Sequence, residues 1–514
     1  SRPVVRAGQG GQASPLVAFT TAVDGLVTGV HVLGLAGRDP AEYSDFTALQ
    51  RTQISIANLQ QTGQTRGIIH NTFGLQPAVK SAQLEWQADG FLRVVADGNV
   101  IVLDPLRAEA LEGADFVRPT RDERASPGNL ITWSVDRVRG LPWFGDERMQ
   151  WLKAIVFTGL DVANANFAQG TTSVDIKNEL GDLGGSTEVP TFTDPEIGWP
   201  PAPMKPVISP NLPGEGLWIA LDKDPFITQS PGSPAAFVTS FIRPNVRRAD
   251  LRVYVTLWDP RQIALHMESG TVEPVSATGE RGPGVIPRTP EVMLHVVAAF
   301  NGGFQAQHGE YGMQANRIMY LPPKPYGATV MEMRDGSTAF GTWPNSSAIP
   351  DEVLGYRQNL TALVEFDRFN PWGRTWWGGT PPGWADTIHT ARSAVCLTKE
   401  NFVAYIWSMS LSADDLGGAL LAAGCTYGIH LDMNPGHAGF EFYNVMPTSE
   451  TRPLGRPLQT DWEAEGTVSQ MPGWSFRGRR MIKGMGHMNF PRYIHREGRD
   501  FFYLTRRTTL PGAN

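Results

Sequence analysis

The sequence predicts an α+β fold, in which a C-terminal domain built on a mixed β-sheet with packed helices follows a smaller mixed N-terminal region. Three observations lead to this prediction. The chain has 514 residues, more than one hydrophobic core ordinarily holds. Strand-like runs and helical patterns alternate after residue 217. A stretch dense in proline, residues 184–216, separates this part from the residues before it.

The residues before the proline stretch divide into three parts. Residues 1–15 are rich in Gly, Gln and Ser and are expected to form a flexible tail. Residues 16–140 form a mixed domain of unassigned role, in which an Asp-Gly turn between β-rich runs predicts a hairpin at 91–103. Residues 141–168 carry apolar side chains at helical spacing and predict an amphipathic helix that docks on a neighbouring domain. The proline stretch itself is expected to be an extended linker.

Residues 217–514 are expected to form the α+β domain. Strand-like segments and helical patterns are interspersed along it, which is typical of a mixed sheet. The strand segments are 251–258, 296–300, 328–333, 393–398 and 402–407, and the helical patterns are 288–297 and 411–423.

Charge and hydropathy argue against two classes of partner. The formal net charge is −7, so the chain has no overall attraction to nucleic acid or to an anionic membrane. The best candidate for a transmembrane segment, residues 152–160, is far too short to cross a bilayer. The segment 477–507 is a local exception, because it holds nine Lys and Arg against two Asp and Glu. An anion-facing rim and an ordinary solvated surface are both compatible with it.

The two cysteines, Cys396 and Cys425, both lie in apolar surroundings in the C-terminal domain. Buried free thiols are the expectation and one disulfide bond is the alternative, because the sequence does not fix the distance between them. The chain begins at Ser1 rather than Met, which fits a removed export signal and equally a trimmed boundary.

The densest group of polar residues follows an apolar run near residue 430. His430, Asp432 and Asn434 are spaced by two, so in a strand they would project from one face, and a Pro-Gly turn then presents His437. This grouping indicates a functional site, although each residue alone could simply cap the turn. A calcium loop is a poor interpretation, because Tyr443 stands where an EF-hand needs a bidentate Glu.

Two further segments carry candidate binding residues. Asn301, Gly302 and Gly303 end a predicted buried strand, where the glycines would let a ligand approach the backbone and the amide can donate and accept hydrogen bonds. Arg392 begins another strand and offers a planar, permanently charged fork suited to a phosphodiester anion. A structural ion pair is the alternative for this arginine.

In this order the three segments resemble the phosphodiester glycosidase family. The family pattern NGG-[YF]-F is met by Asn301 to Phe304, R-[TS]-A-[VI] by Arg392 to Val395, and the start of an LDGGGS-like loop by Leu431-Asp432, whereas MNPGH replaces its glycines and serine. The resemblance covers roughly residues 217–490. It implies an exported hydrolase, secreted or periplasmic, that cleaves a glycosyl phosphodiester or related glycosidic bond in envelope or extracellular glycans. No cofactor would be required.

The residues can support such chemistry in specific roles. Asp432 could act as general acid or base, and capping of the following turn is its alternative. Glu310, with His308 beside it, is the candidate second carboxylate, although it could be an exposed loop charge. His430 and His437 could move protons near neutral pH. Tryptophans at 372–384 could stack on a sugar ring or could form a rigid cover.

Two other functions stay open. A non-catalytic protein on the same fold could bind glycan or phosphate. A metal-dependent phosphodiesterase could use His430, Asp432, Asn434 and His437 as ligands, since imidazole and oxygen donors suit several divalent cations.

Overall fold

Strands dominate the described part of the chain. The computed structural model describes residues 4–6, 16–23, 25–44, 46–62, 64–121, 193–229, 233–378 and 389–507. The chain divides into two compact units, Ser1–Leu141 and Pro142–Asn514. The predicted amphipathic helix at 141–168 lies outside the described residues. Of the proline stretch, residues 193–216 are described, and they form turns and irregular backbone.

The described residues of unit 1 form a five-stranded and a four-stranded antiparallel sheet and one α-helix. Its elements are β1 (Val4–Arg6), β2 (Leu16–Val23), β3 (Leu26–Gly34), α1 (Ala48–Thr62), β4 (Ile69–Val79), β5 (Ala82–Trp86), β6 (Leu92–Ala96), β7 (Asn99–Asp104), β8 (Glu109–Glu112) and β9 (Val117–Thr120). The strand orders are β1-β2-β3-β4-β9 and β5-β6-β7-β8. One hydrophobic cluster draws on both sheets, with Val30 and Phe73 from one and Val94 and Ile101 from the other.

The predicted hairpin at 91–103 is confirmed. Strands β6 and β7 pair with Ala96 opposite Asn99, so a two-residue turn joins them. Asp97 and Gly98 both have positive φ, at 46° and 89°, which is the backbone that a type I′ turn requires.

The part of unit 2 that the structure describes forms three antiparallel sheets. Its strands are β10 (Ile219–Ala220), β11 (Phe237–Ile242), β12 (Val253–Trp258), β13 (Ile263–Glu268), β14 (Val296–Asn301), β15 (Met313–Ala315), β16 (Ile318–Leu321), β17 (Ala328–Met333), β18 (Thr338–Thr342), β19 (Val353–Gln358), β20 (Val364–Glu365), β21 (Arg368–Phe369), β22 (Thr390–Thr398), β23 (Val403–Leu411), β24 (Cys425–His430), β25 (Phe440–Pro447), β26 (Glu463–Thr467), β27 (Trp474–Arg480) and β28 (Phe501–Arg506). The α-helices among its described residues are α2 (Pro290–Met293) and α3 (Ala413–Ala422).

The three sheets share one core. The eight-stranded sheet has the order β10-β11-β12-β23-β22-β24-β20-β21, the six-stranded sheet β13-β28-β14-β25-β27-β26, and the five-stranded sheet β16-β15-β19-β17-β18. A single cluster contains Trp258 and Tyr405 from the first sheet, Phe300 and Phe440 from the second, and Val330 from the third. The strand ends that border this core position the candidate site.

The predicted α+β class is wrong, because the fold is mostly β. All strand pairs recorded among the described residues are antiparallel, and α1, α2 and α3 are the α-helices found there. The pattern at 411–423 does form helix α3, which begins with a capping box between Ser412 and Asp415. The predicted helix at 288–297 is only the four-residue α2, because the last apolar residues of this segment belong to strand β14, which begins at Val296. The strand segments named from the sequence all contribute to strands.

Cys396 and Cys425 form a disulfide bond, so the expectation of two free thiols is wrong. The two residues lie on the neighbouring strands β22 and β24 and are 0% and 3% exposed. The strand pairing brings their Cα atoms to 5.8 Å, which is a normal separation for a disulfide.

The basic segment 477–507 is neither an anion-facing rim nor a solvated surface. Arg479 is 2% exposed, donates to Asp224 and lies over the rings of Phe442 and Trp462. Arg492 is also buried and is paired with Glu497. Arg479 is thus neutralised by an acidic residue 255 positions away and Arg492 by one in the same segment, and charge counting reveals neither pair.

Candidate active site

The candidate site lies where strands β14 and β24 end and strand β28 begins. The chain leaves β14 at Asn301 and β24 at His430, and it enters β28 at Phe501. Asp432 N donates to Gly302 O, so the two strand exits are joined directly. The predicted strand does not continue to Asn434, because β24 ends at His430 and the following residues turn.

Asn301 connects three segments beneath the site. Its Nδ2 donates to Ser393 Oγ at 3.0 Å, and its Oδ1 accepts from Tyr405 Oη at 2.8 Å and from Gly439 N at 3.0 Å. Ser393 Oγ in turn donates to Asp432 O at 2.8 Å. Asn301 is 2% exposed, so the contacts of its side chain are with the protein and hold the Asp432 loop in place.

The two glycines after Asn301 are required by the protein's own side chains. A Cβ on Gly302 would lie 1.8 Å from Asp500 Oδ2, and a Cβ on Gly303 would lie 2.8 Å from the guanidinium of Arg357. Arg357 Nε donates to Asp500 Oδ2 at 2.7 Å, and Gly303 N donates to the same oxygen at 3.2 Å. The buried ion pair of Arg357 and Asp500 therefore occupies the space beside the glycines in which the sequence pattern predicts a ligand.

Arg392 and His430 lie together but are sealed from solvent. Arg392 is 0% exposed and donates to the carbonyl oxygens of Leu411, Trp377 and Gly378. Its Nη1 also lies 3.0 Å from Nε2 of His430. Burial and the adjacent guanidinium hold the pKa of His430 well below its ordinary value, so this imidazole is neutral. The geometry makes Arg392 a structural group that orients the end of β24.

Asp432 and Glu273 contact one arginine from two sides. Arg499 Nη1 lies 3.2 Å from Asp432 Oδ2, and Arg499 Nε lies 3.3 Å from Glu273 Oε1. The side chains of Asp432, Arg499 and Glu273 are 11%, 12% and 17% exposed. Solvent therefore reaches this group, whereas Arg392 is 0% exposed. The two carboxyl groups are therefore neighbours that share one guanidinium.

The two carboxyl groups have pKa values shifted in opposite directions. Burial opposes ionisation of Asp432, but Arg499, His437 and the backbone N–H groups of Asn434 and Met433 lower its pKa below the ordinary value. Burial raises the pKa of Glu273, and the opposing effect of Arg499 does not cancel it. The pKa of Glu273 therefore lies above that of Asp432, so Glu273 is the second of the pair to lose its proton as pH rises.

His437 completes the buried rim of the site. It is 9% exposed, and its ring also lowers the pKa of Glu497. Arg492 Nη1 donates to His437 O, while Arg492 Nε donates to Glu497.

Asn434 turns the chain toward His437, because its Oδ1 accepts from Gly436 N at 3.1 Å. Its Nδ2 is buried without a hydrogen-bond partner in the described chain and is a donor available to a ligand.

Glu310 and His308 lie in the loop after β14. Glu310 is exposed and has a positive φ of 48°. The ring of His308 meets Phe304 edge-on, with the ring centroids 6.4 Å apart. Of the Trp-rich segment, 372–378 is described; Trp376 approaches Phe304 edge-on, and Trp377 is buried against His430.

The sequence reasoning missed Glu273 and Arg499. Glu273 lies in the irregular segment after β13, and Arg499 lies two residues before β28, so neither belongs to a motif with recognisable spacing.

The four residues suggested as metal ligands do not form one donor set. Nε2 of His430 is hydrogen-bonded to Arg392. Within the described ranges, no group of three or more His, Cys, Asp or Glu has the arrangement of a metal site. Also within these ranges, no helix has both the length and the apolar character needed to span a membrane.

Comparisons with known proteins give a distant resemblance in fold. No family model and no curated protein sequence matches the chain. One similar structure is the catalytic domain of zebrafish N-acetylglucosamine-1-phosphodiester alpha-N-acetylglucosaminidase, auto-inhibited by its pro-peptide, with 15% identity and a TM-score of 0.30 over 42% of this chain and 76% of that one. Another is a hypothetical protein from Synechocystis, with 10% identity and a TM-score of 0.28 over 53% of this chain and 62% of that one. Neither likeness assigns an activity to this chain.

Proposed function

We propose that the protein is a hydrolase that cleaves a glycosidic bond, with Glu273 as the proton donor and Asp432 as the anionic carboxylate. The opposite pKa shifts of these two groups beside Arg499 carry the proposal. Glycoside cleavage needs one carboxyl group that keeps its proton and one that is ionised at the same pH. The different surroundings of Glu273 and Asp432 give the two groups different pKa values, so one can act as the acid while the other acts as the anion.

The reaction uses the pair as follows. Glu273 donates its proton to the glycosidic oxygen as the bond from that oxygen to the anomeric carbon breaks. The leaving group departs with the donated proton. Asp432 either accepts a proton from water that attacks the anomeric carbon directly, or attacks that carbon itself to form a glycosyl ester. In the second case Glu273, now ionised, takes a proton from the water that displaces Asp432 from the sugar. Arg499 holds both carboxyl groups in place.

The substrate we propose is a glycosyl phosphodiester or a related glycoside of envelope or extracellular glycans. Arg392 is sealed and does not bind the phosphate in this proposal, whereas Arg499 is partly exposed beside the pair and supplies the positive charge. The disulfide between Cys396 and Cys425 supports an exported protein, because such bonds persist in oxidising compartments.

The test is sugar release from a panel of aryl glycosides and sugar-1-phosphate methyl diesters. We expect turnover by the wild type and a loss of about 100-fold or more in Asp432→Asn and in Glu273→Gln. Glu400→Gln removes a carboxylate from the exposed turn after β22 and serves as the matched control, with turnover near that of the wild type. Melting temperatures of all four proteins check the fold.

Two outcomes would replace the proposal. Calorimetric binding of a glycan without turnover of any substrate in the panel would identify a non-catalytic binding protein. Turnover that is lost in EDTA and restored by a divalent cation, with Glu273→Gln fully active, would identify metal-dependent chemistry instead.

A further inference from the structure

A second group of chemically active side chains lies away from Asp432, on the face shared by β13, β28 and β17. His266 Nε2 is 2.9 Å from Thr505 Oγ1, and His266 Nδ1 is 2.6 Å from Glu332 Oε1. A hydroxyl, an imidazole and a carboxylate are thus connected in sequence by hydrogen bonds. This is the order in which a nucleophile, its general base and the group that orients the base are arranged in acyl-transfer enzymes.

The hydrogen bonds define the role of each group. Because the Glu332 carboxylate only accepts, His266 Nδ1 carries a hydrogen and donates it. In the neutral imidazole, Nε2 then has a free lone pair and accepts from the Thr505 hydroxyl. The ring of His266 stacks on Tyr503, with centroids 4.8 Å apart and planes at 24°, which restricts its rotation. The threonine oxygen is therefore held beside a correctly oriented base.

Backbone irregularities lie opposite two members of the group. The pairing of β14 with β28 shifts register between Val296 and Ala298, opposite Thr505, so the extra residue is on β14. The pairing of β17 with β19 shifts register at Glu332, and there the extra residue is on β19. Bulges of this kind are frequent beside active sites. Two of them next to one hydrogen-bonded group are an observation independent of the side-chain distances.

The imidazole and the carboxylate of the group are partly exposed, Thr505 is 9% exposed beside them, and the group is separate from the glycosidase pair. The side chains of His266 and Glu332 are 27% and 20% exposed, so a ligand can reach the imidazole from solvent. Thr505 follows Phe501, at the start of β28, by four residues, which places it about 13 Å along the strand from the end that borders Asp432.

We propose that Thr505, His266 and Glu332 form a second hydrolytic centre that cleaves carboxylic esters. The Thr505 oxygen attacks the ester carbonyl carbon while His266 accepts the hydroxyl proton. The ester C–O bond breaks, and the alcohol leaves with the proton from His266. Water then attacks the acyl-threonine, with His266 again accepting and returning a proton, and releases a carboxylic acid. Glu332 keeps the imidazole in the required tautomer throughout.

The test uses the full chain with p-nitrophenyl acetate and a fluorophosphonate probe, which labels activated hydroxyl groups. We expect ester hydrolysis and a covalent adduct that mass spectrometry locates on Thr505. Thr505→Val keeps the shape of the side chain without the hydroxyl and should lose the adduct and about 100-fold or more of the rate. His266→Ala should show the same loss. Thr505→Ser should retain hydrolysis and move the adduct to the serine.

Thr342→Val is the matched control. Thr342 is another partly buried threonine whose hydroxyl contacts a carboxylate, Glu365, but its recorded partners include no imidazole, so its replacement should leave ester hydrolysis unchanged. An adduct elsewhere on the chain, or no adduct on Thr505 in the wild type, would overturn the proposal. If Thr505→Val does not fold, Thr505→Ser decides, because an inactive and unlabelled serine variant with a wild-type melting temperature also overturns it.

Discussion

At the scale of single residues, environment rather than residue type determines what each carboxyl group can do. Asp432 is stabilised as an anion by Arg499 and by two backbone N–H groups, whereas burial dominates at Glu273 and favours its neutral form. Arg392, which has the residue type expected of an anion ligand, is instead enclosed by carbonyl oxygens and His430. The proposed chemistry therefore depends on Arg499 bringing together Glu273 and Asp432, which are more than 150 positions apart in the sequence.

Glu268 gives the protein a pH-dependent stability. Burial raises its pKa to about 8, although Ser269 N and Asn316 donate to it. The unfolded chain releases this proton near pH 4.3, so the free energy of unfolding falls as pH rises from about 4.5 to 8. In Glu268→Gln this loss should be absent, so the variant becomes more stable relative to wild type as pH increases. Urea unfolding at pH 5, 7 and 9 measures the difference, and a pH-independent difference would contradict it.

Gly302 should not tolerate a side chain. A Cβ there would lie 1.8 Å from Asp500 Oδ2 and would displace that carboxylate from Arg357. We expect Gly302→Ala to reduce the free energy of unfolding by about 3 kcal/mol or more, because overpacking and a disrupted buried ion pair combine. Gly341→Ala is the control, since a Cβ at Gly341 meets no atom within 4 Å. Equal stability of the two variants in urea would refute this explanation of the glycine.

At the scale of elements, local patterns predict that a strand is present better than they predict the residue at which it ends. The alternation of polar residues from His430 to Asn434 predicts one continuous strand, but β24 ends at His430. The chain turns there because Asp432 N donates to Gly302 O. In addition, Asp432 Oδ1 accepts hydrogen bonds from two backbone N–H groups of the turn. The hairpin at 91–103 was predictable, because its turn chemistry is contained in two adjacent residues. The turn after β24 depends on a second strand, β14, which no local pattern specifies.

The disulfide between β22 and β24 should stabilise unit 2 measurably. It joins Cys396 and Cys425, which are 29 positions apart. A crosslink of this length restricts the unfolded chain by about 3–4 kcal/mol in the chain-entropy model. We expect the double variant Cys396→Ala/Cys425→Ala to lose that amount in urea unfolding, with reduced wild type losing a similar amount. Unchanged stability in both would show that the bond does not constrain the unfolded chain.

At the scale of the whole molecule, the sequence indicated more about the presence of elements than about their assembly. Most strand segments and helix α3 were predictable from local patterns, but the mixed-sheet class was not, because strand direction is set by pairing between distant segments. The segments that carry Asn301, Arg392 and Asp432 are neighbours in the fold, but Asn301 and Arg392 are themselves buried. Glu273 and Arg499 were not predictable, because long-range packing rather than spacing brings them together.

The two units should fold independently. The main hydrophobic clusters each lie within one unit: one cluster belongs to unit 1, and the clusters that contain Trp258, Leu416 and Tyr443 belong to unit 2. A protein of residues 142–514 should therefore unfold in one cooperative transition at a midpoint close to that of unit 2 in the full chain. Calorimetry of the two proteins makes this comparison. A broad, non-cooperative transition in the shorter protein would show that unit 1 is required.

The pH dependence of kcat/KM for sugar release, in wild type, Glu273→Gln and Glu310→Gln, tests the central claim most directly. The account predicts a bell-shaped profile for wild type, since Asp432 must be ionised and Glu273 protonated. Glu273→Gln should lose both the activity and the alkaline limb, because the group with the raised pKa is gone. A wild-type profile in Glu273→Gln, with the loss found in Glu310→Gln instead, would contradict the account and assign proton donation to Glu310.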